Sequence, residues 1–220
     1  MPKILGISAS LRKEATEYCV KQALKVAQTI PGVVTSFYSF RGKDIKYCVH
    51  CDRCIKGQEC KITDDVPQII DEIIKADGVI FGSPVYTMTA IPQLLVVFNR
   101  MRSLRHILPN GFWGKVGGAI AVGGTRNGGQ ETTINTIINC MLSRGMFVVG
   151  GSTGNYSGGK VWTDNKGLEG AKADGIGNYS INDIGFRVAA VAKALEYSNI
   201  NLYNRKIEEW LNEVTCFEGM

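Results

Sequence analysis

Four cysteines lie within thirteen residues of the chain and follow the spacing C-x2-C-x2-C-x5-C. They are Cys48, Cys51, Cys54 and Cys60. Thiolates that recur at this interval can turn toward one centre, which is how iron–sulfur clusters are held. The spacing therefore predicts a [4Fe–4S] site and electron-transfer chemistry.

Three other uses of these cysteines stay open. Four thiolates can hold zinc, although structural zinc usually takes two C-x2-C arms from separate parts of a fold, whereas three candidate ligands here lie within seven residues. A redox-active C-x-x-C pair, with the other two cysteines taking no part, is a second alternative. A disulfide framework is the third. It is disfavoured because the chain has seven cysteines and, at 220 residues, needs no cross-links to build a core.

Length and composition indicate a globular protein. The 220 residues are 45% hydrophobic and 20% charged, which is ordinary for one α/β domain. The net charge of +5 is scattered rather than clustered, so we expect no nucleic-acid partner. No apolar run is long enough to span a membrane, and the first residues lack the apolar region of a signal peptide. We therefore expect a cytoplasmic protein without membrane partners, whose thiols stay reduced.

Short apolar segments alternate with segments of helical period along the chain. The predicted strands are 3–8, 33–40, 77–83, 116–122 and 146–150. The predicted helices are 16–28, 63 or 64 to 76, 91–105, 129–143, 183–197 and 202–214. This alternation predicts an α/β fold: a flavodoxin-like, doubly wound, five-stranded parallel sheet with helices on both faces.

Two stretches depart from this alternation. A cysteine-rich loop at about 47–63 interrupts it, and a glycine-rich excursion from Ser152 to Asn182 shows no strong period. Loops of that length are unusual inside a compact domain. We expect a single domain over 1–220 in which the excursion and the last helices form an extension at about 152–220.

The first strand ends in a loop rich in hydroxyl groups. Ligands of doubly wound sheets bind at the carboxyl ends of the strands. Ser8, Ser10 and Thr16 supply hydroxyls there, and Arg12 adds a guanidinium just before a helix begins, which together suit a phosphate. A Ser/Thr-rich turn that only caps the helix is the alternative. The loop matches neither a P-loop nor a G-x-G-x-x-G fingerprint.

Two further strand ends suit a flat heterocycle. The first places a proline-stiffened backbone beside an aromatic ring, where backbone amides can hydrogen-bond ring atoms. It consists of Pro84, Val85, Tyr86 and Thr87. The second is rich in glycine, which permits close approach of the backbone to a ligand. It contains Gly123, Gly124, Thr125 and Gly128. A proline turn with a buried tyrosine and a flexible loop are the respective alternatives.

With these three loops and the cysteine motif together, the chain resembles the iron–sulfur flavoproteins, within the wider NAD(P)H-dependent FMN reductase group of flavodoxin-like fold. The resemblance covers roughly residues 1–150. It implies FMN, with its phosphate on Ser10, Arg12 and Thr16. It implies that 84–87 lie along the isoalloxazine ring and 123–125 on its other side. It also implies that the four cysteines are cluster ligands, in a homodimer or homotetramer where cluster and flavin communicate across subunits.

We interpret the sequence as that of a redox flavoprotein with FMN and one [4Fe–4S] cluster. Electrons would pass from a ferredoxin-like donor through the cluster to FMN and on to a small acceptor, a quinone or an oxygen species. No side chain is needed as acid, base or nucleophile, so we expect no catalytic residue in that sense. Two alternatives remain: an NAD(P)H-dependent FMN or quinone reductase without a cluster, and a zinc-stabilised, non-catalytic interaction module.

Overall fold

The structure is a computed structural model that describes residues 1–106, 108 and 111–198. In that part of the chain the strands are β1 (Lys3–Ser8), β2 (Val34–Ser39), β3 (Gly78–Tyr86), β4 (Thr89–Ala90), β5 (Val116–Gly123), β6 (Phe147–Val148) and β7 (Gly159–Trp162). The α-helices are α1 (Ala15–Ala27), α2 (Val66–Ile74), α3 (Pro92–Arg100), α4 (Gln130–Leu142), α5 (Gly167–Ala173) and α6 (Gly175–Glu196). Two short 3₁₀ helices cover Cys54–Lys56 and Met101–His106.

The strands form one twisted sheet in the order β2-β1-β3-β5, with parallel neighbours. The next position is shared: β6 pairs with the start of β5, and β7 pairs with its end. β4 pairs only with the end of β3, as an antiparallel hairpin. The predicted α/β, flavodoxin-like class is confirmed. The predicted count of five strands is wrong, because the fifth position is filled by two short strands and β4 adds a seventh strand.

Helices cover both faces of the sheet, as predicted. On one face α1 and α6 bury Val20, Leu24 and Ile184 against β1, β3 and β5. On the other, α2, α3 and α4 bury residues such as Ile69 and Leu94. β5 is buried along its whole length, which explains why it reads as an uninterrupted apolar run. Two buried clusters, one on each face, thus hold the helices against the sheet.

The predicted excursion 152–182 has more regular structure than its sequence suggested. β7 and α5 lie within it, and α6 begins at Gly175, about two turns before the predicted helix 183–197. β7 is too short to show a period, and it forms because β5 offers an unpaired edge. Glycines at the start of α6 mask the helical pattern in the sequence. The Asp174 side chain nevertheless caps the helix by accepting a hydrogen bond from the Gly177 N–H at 2.9 Å.

Other helix boundaries differ by a turn or less, except in one place. The predicted helix 91–105 divides into α3 and the 3₁₀ helix that follows it, and α2 begins at Val66 rather than at Thr63 or Asp64. The predicted helix 202–214 lies outside the described residues. The extent of the single domain over 1–220 stays a prediction.

Candidate cofactor sites

The ends of the strands meet at one edge of the sheet. Ser8 of β1 lies opposite Gly82 of β3, and Gly123 of β5 lies opposite Trp162 of β7. The three loops singled out in the sequence therefore follow neighbouring strands at the same edge. All twelve predicted flavin-contacting residues lie at the carboxyl ends of these strands, in the loops that follow them or in the first turn of α1.

The loop after β1 retains unused hydrogen-bonding capacity. The Ser8 hydroxyl is fully buried and has no hydrogen-bond partner within the described residues. The Ser10 hydroxyl accepts from the Arg12 N–H at 3.2 Å. Glu14 precedes α1, yet its side chain does not cap the helix, and Thr16 lies buried in the first turn. An orphaned hydroxyl beside an uncapped helix N-terminus fits a phosphate group.

The loop after β3 is a two-residue hairpin. Thr87 and Met88 occupy its turn with φ of 48° and 62°, the left-handed pair required by a type I′ turn. Neither is a glycine, so the turn costs about 1–2 kcal/mol per residue. Tyr86 is 46% exposed beside it. A strained, exposed turn next to an aromatic ring is characteristic of a ligand-contacting segment.

The hairpin is held from behind by Ser83. Its hydroxyl donates to the Pro84 carbonyl at 2.7 Å and accepts from the Ile91 N–H at 3.0 Å. These two bonds fix the entry into the turn and the start of α3. The hairpin tip also packs on the loop after β5, because a Cβ built at Gly129 would lie 2.6 Å from the Met88 Cα.

The glycine-rich loop after β5 is braced by a side chain that sequence reasoning missed. The Gly128 N–H donates to Gln130 Oε1 at 3.0 Å, and Gln130 Nε2 donates to the Thr125 carbonyl at 2.7 Å. The buried Gln130 thus joins both ends of the loop. These two hydrogen bonds close the loop on itself.

The excursion contributes to the same edge. The Gly123 carbonyl accepts from the Thr163 N–H at 2.9 Å, and the Gly124 carbonyl accepts from the Asn165 N–H at 3.0 Å. No sequence signal predicted this contact, because it depends on β7 pairing with β5. Beside it lies a groove of about 550 Å³, lined by Trp162, Arg126 and the start of α6 among other residues.

The four motif cysteines line one cavity of about 480 Å³, together with residues of α2 and the 3₁₀ helix after α3. All four thiols are free. Apolar side chains, Ile70 and Leu104 among them, form part of the wall. Within 1–106, 108 and 111–198, no three His, Cys, Asp or Glu side chains approach one another closely enough to hold a metal ion. The donor set fits a thiolate-ligated centre, but the sulfurs are not drawn together.

Two arginines at the end of α3 hold the cysteine loop. Arg100 forms a bidentate ion pair with Asp64, with N–O distances of 2.8 and 3.1 Å, and donates to the Lys46 carbonyl at 2.9 Å. Arg102 donates to Asp52 Oδ1 at 2.7 Å. Sequence reasoning missed both arginines. The one available signal was an arginine pair two residues apart inside the predicted helix 91–105, which is not specific.

The Arg100–Asp64 pair is buried, with side-chain exposures of 4% and 0%. Burial alone would lower the pKa of Arg100, but the hydrogen bonds and the charge of Asp64 raise that pKa above its usual value. Burial would likewise raise the pKa of Asp64, but the hydrogen bonds from Arg100 and from the Lys46 N–H hold it below its usual value. Both groups therefore stay charged, and removing either leaves a buried charge without its partner.

The cysteine cavity and the predicted flavin site do not share residues. None of the twelve predicted flavin-contacting residues lines the cavity. The cavity lies against α2 and α3, whereas the three loops lie at the strand ends. One chain thus offers two separate candidate sites.

Comparison with known proteins identifies the family. The sequence profile of the NADPH-dependent FMN reductases matches residues 2–159. An iron–sulfur flavoprotein of Archaeoglobus fulgidus is 39% identical over 194 residues, which cover 88% of this chain and 98% of that protein. An iron–sulfur flavoprotein of Methanocaldococcus jannaschii is 41% identical over 199 residues, which cover 88% and 99%.

Solved structures with a similar fold are more distant in sequence. RosB, crystallised with 8-demethyl-8-formylriboflavin 5′-phosphate, gives a TM-score of 0.69 at 15% identity over 95% of this chain and 87% of that one. A WrbA-like flavodoxin of Agrobacterium tumefaciens gives 0.60 at 15% identity over 88% and 99%. These likenesses support the flavodoxin-like fold.

Fold and family together define a flavin-dependent oxidoreductase. More narrowly, the chain belongs to the iron–sulfur flavoprotein family. The alternative of a non-catalytic interaction module is set aside. Among the described residues, no helix has the length and apolar character needed to cross a bilayer.

Proposed function

We propose that this protein passes electrons from a ferredoxin-like donor to a small acceptor, a quinone or an oxygen species, using FMN and a [4Fe–4S] cluster. The observation that carries the proposal is that Cys48, Cys51, Cys54 and Cys60 line one cavity as free thiols. When bound, the cluster supplies one-electron chemistry and FMN can store two electrons. The protein's role is to hold and tune these groups.

In the cysteine cavity, the four thiolates would be the cluster ligands. The His50 N–H already donates to Cys48 Sγ at 3.4 Å, which is the kind of bond that stabilises a thiolate. Ile70 and Leu104 limit access of water on the inner side. The surrounding hydrogen bonds and the degree of burial set how readily such a centre is reduced.

At the strand ends, Ser8, Ser10, Arg12 and Thr16 would hold the FMN phosphate. The hairpin 84–87 and the loop 123–128 would flank the ring. Their backbone N–H groups are the available donors, because the structure braces these loops through Ser83 and Gln130 behind them. No side chain is assigned as acid or base, because the protons that the reduced flavin and the acceptor take up with the electrons can come from water.

Separation of the two candidate sites supports a homo-oligomer. Because no predicted flavin residue lines the cysteine cavity, we propose that the cluster of one subunit serves the flavin of another in a homodimer or homotetramer. Sedimentation of the holoprotein tests the assembly. A purely monomeric holoprotein that still transfers electrons at the full rate would contradict it.

Basic side chains near the exposed cysteines support an acidic protein donor. Lys56 and Lys61 are exposed on the cysteine loop, and neither forms an ion pair with a described residue. Complementary charge steers protein encounter and speeds association. Acidic ferredoxin-like carriers fit such a surface. A cytoplasmic location, where thiols stay reduced, remains our expectation.

Replacing one motif cysteine tests the route of electrons. In Cys51→Ser, reduction of FMN by a ferredoxin-like donor should be lost while bound FMN is retained. Cys140→Ser is the matched control, because Cys140 lies on α4 away from the motif. Anaerobic stopped-flow absorbance of the flavin measures both. Equal rates in the two variants would contradict the proposed route.

The family profile itself favours a second candidate, an NADPH-dependent FMN or quinone reductase without a cluster. In that case NADPH would bleach the flavin rapidly, and Cys51→Ser would not change the rate. The same stopped-flow experiment, with NADPH in place of the protein donor, separates the two functions.

A further inference from the structure

Arg100 contacts one of the motif cysteines directly. Its Nη2 lies 3.6 Å from Cys60 Sγ, within hydrogen-bonding range for a sulfur acceptor. Arg100 is the last residue of α3, whereas Cys60 lies in the loop that precedes α2. The contact thus joins a rigid helix to a loop with little regular structure of its own.

The orientation of this guanidinium is fixed on three sides. Asp64 accepts from Nη1 and Nη2 together, which sets the plane of the fork, and the Lys46 carbonyl accepts from Nη1. The remaining direction of Nη2 is the one that meets Cys60. Arginine suits this arrangement because its donors lie in a rigid plane, whereas a lysine ammonium cannot satisfy all three partners in the same geometry.

We propose that Arg100 sets the reduction potential of the cluster by donating an N–H···S hydrogen bond to Cys60. Asp64 orients the Arg100 guanidinium and partly neutralises its charge. This inference rests on the proposed function, because it requires a cluster on the four cysteines. Arg100 acts as a positioning residue: it touches a ligand sulfur and no substrate.

The sign of the effect follows from charge. One-electron reduction adds negative charge to the cluster and its thiolates, and a cationic donor at a ligand sulfur stabilises that state more than the oxidised one. Arg100 should therefore raise the potential. Asp64 carries the opposite charge at the far side of the fork, so it should lower the potential by offsetting part of the arginine charge.

Potentiometric titration of the anaerobically purified holoprotein, followed by EPR of the reduced cluster, tests this inference. Compared with the unmodified chain, Arg100→Gln should shift the cluster midpoint to a more negative value and Asp64→Asn should shift it to a more positive value. The FMN midpoint, measured in the same samples, should stay in place. Retained FMN in each variant shows that the fold is intact.

Arg102→Gln is the matched control, because it removes the same charge two residues away without removing a described sulfur contact. Its shift should be smaller than that of Arg100→Gln. If Arg100→Gln fails to retain iron, Arg100→Lys is measured instead. This variant keeps the positive charge but lacks the planar set of guanidinium donors, so the midpoint of its cluster should also become more negative.

Three results would overturn the inference while the cluster is present. They are an unchanged midpoint in Arg100→Gln or Arg100→Lys, an equal shift in Arg102→Gln, and a shift of the same sign in Arg100→Gln and Asp64→Asn. The last would mean that the substitutions act by displacing the loop. An unmodified holoprotein that contains no iron and sulfide would instead overturn the proposed function, which is a separate and distinguishable failure.

Discussion

The guanidinium of Arg126 lies over the indole ring of Trp162, 4.5 Å from the ring centroid. Arg126 belongs to the loop after β5 and Trp162 ends β7, so this contact ties the excursion to a loop that we expect to flank FMN. The contact complements the backbone bonds from Thr163 and Asn165 to the end of β5. The excursion is therefore part of the scaffold of the candidate flavin site.

Removing the indole should weaken FMN binding modestly. A cation–π contact at a partly exposed site contributes about 0.5–1 kcal/mol, so Trp162→Leu should raise the FMN dissociation constant by roughly two- to fivefold. Fluorescence titration of the apoprotein with FMN measures the change. Tyr156→Leu is the control, because Tyr156 forms a comparable contact with Lys160 away from the β5 loop. Equal effects in both variants would count against a role for Trp162 at the flavin site.

Gly129 is a position where a side chain should disturb two loops together. It has φ of 104°, and a Cβ there would collide with the Met88 backbone at the hairpin tip. Gly129→Ala should therefore weaken FMN binding by roughly tenfold or more, since a loss of about 1.4 kcal/mol corresponds to tenfold. The measurement is again titration of the apoprotein with FMN.

Gly154 supplies the control for that substitution. It has a similar φ of 94°, but a Cβ there meets no atom within 4 Å. Gly154→Ala should cost about 1 kcal/mol of backbone strain while leaving FMN affinity unchanged. If the two alanine variants lose FMN affinity equally, contact between the hairpin and the β5 loop does not matter for the ligand.

The central strands of the sheet could be predicted from the sequence, whereas the two short strands at its fifth position could not. β5, most of β1 and the first six residues of β3 are buried on both faces, and such strands appear as plain apolar runs. β6 and β7 are two and four residues long, too short for any periodicity to register. They exist because β5 presents a free edge, which is a tertiary property.

Some residues of the candidate sites could likewise be predicted from the sequence, and others could not. Glycine, proline and cysteine report local geometry or chemistry, so the strand-end loops and the cysteine motif were visible as patterns. The contact of Arg100 with Cys60 spans 40 residues and depends on how α3 packs beside the cysteine loop. Gln130 is similar: a glutamine at a helix start gives no sign that it braces the loop before it.

Charge reversal on the cysteine loop should slow the protein donor. Lys56→Glu and Lys61→Glu should each lower the second-order rate of reduction by an acidic ferredoxin-like donor several-fold at low salt, because they oppose the steering field. High salt should shrink the difference, since it screens exposed charges. Lys25→Glu, at an exposed position on α1, is the control. A rate that depends on neither substitution nor salt would argue against an acidic donor.

Asp183 should make the protein sensitive to acid. Burial alone would raise its pKa, but hydrogen bonds from the Ser152 N–H, Asn155 and Arg187 lower that pKa to about 2, from an ordinary value of 3.8. A lowered folded-state pKa contributes stability at neutral pH that is lost as pH falls from about 4 to about 2. The side chain is 13% exposed, so solvent screens it little.

Asp183→Asn should therefore lower the free energy of unfolding by roughly 2 kcal/mol at pH 7, with the difference disappearing near pH 2. Chemical denaturation across this pH range measures it. Glu169→Gln removes a carboxylate from an exposed ion pair with Lys172 and should change little at any pH. If Asp183→Asn lowers the free energy of unfolding by the same amount at every pH, the charge of Asp183 is not the cause of the loss.

Iron, acid-labile sulfide and FMN, quantified in protein purified without oxygen, test the central claim most directly. We expect about four irons, four sulfides and one FMN per chain, because one set of cysteines would hold one [4Fe–4S] cluster and the chain has one candidate flavin site. Dithionite should bleach both flavin bands and a broad visible shoulder. Stoichiometric zinc with bound FMN and no iron would contradict the account.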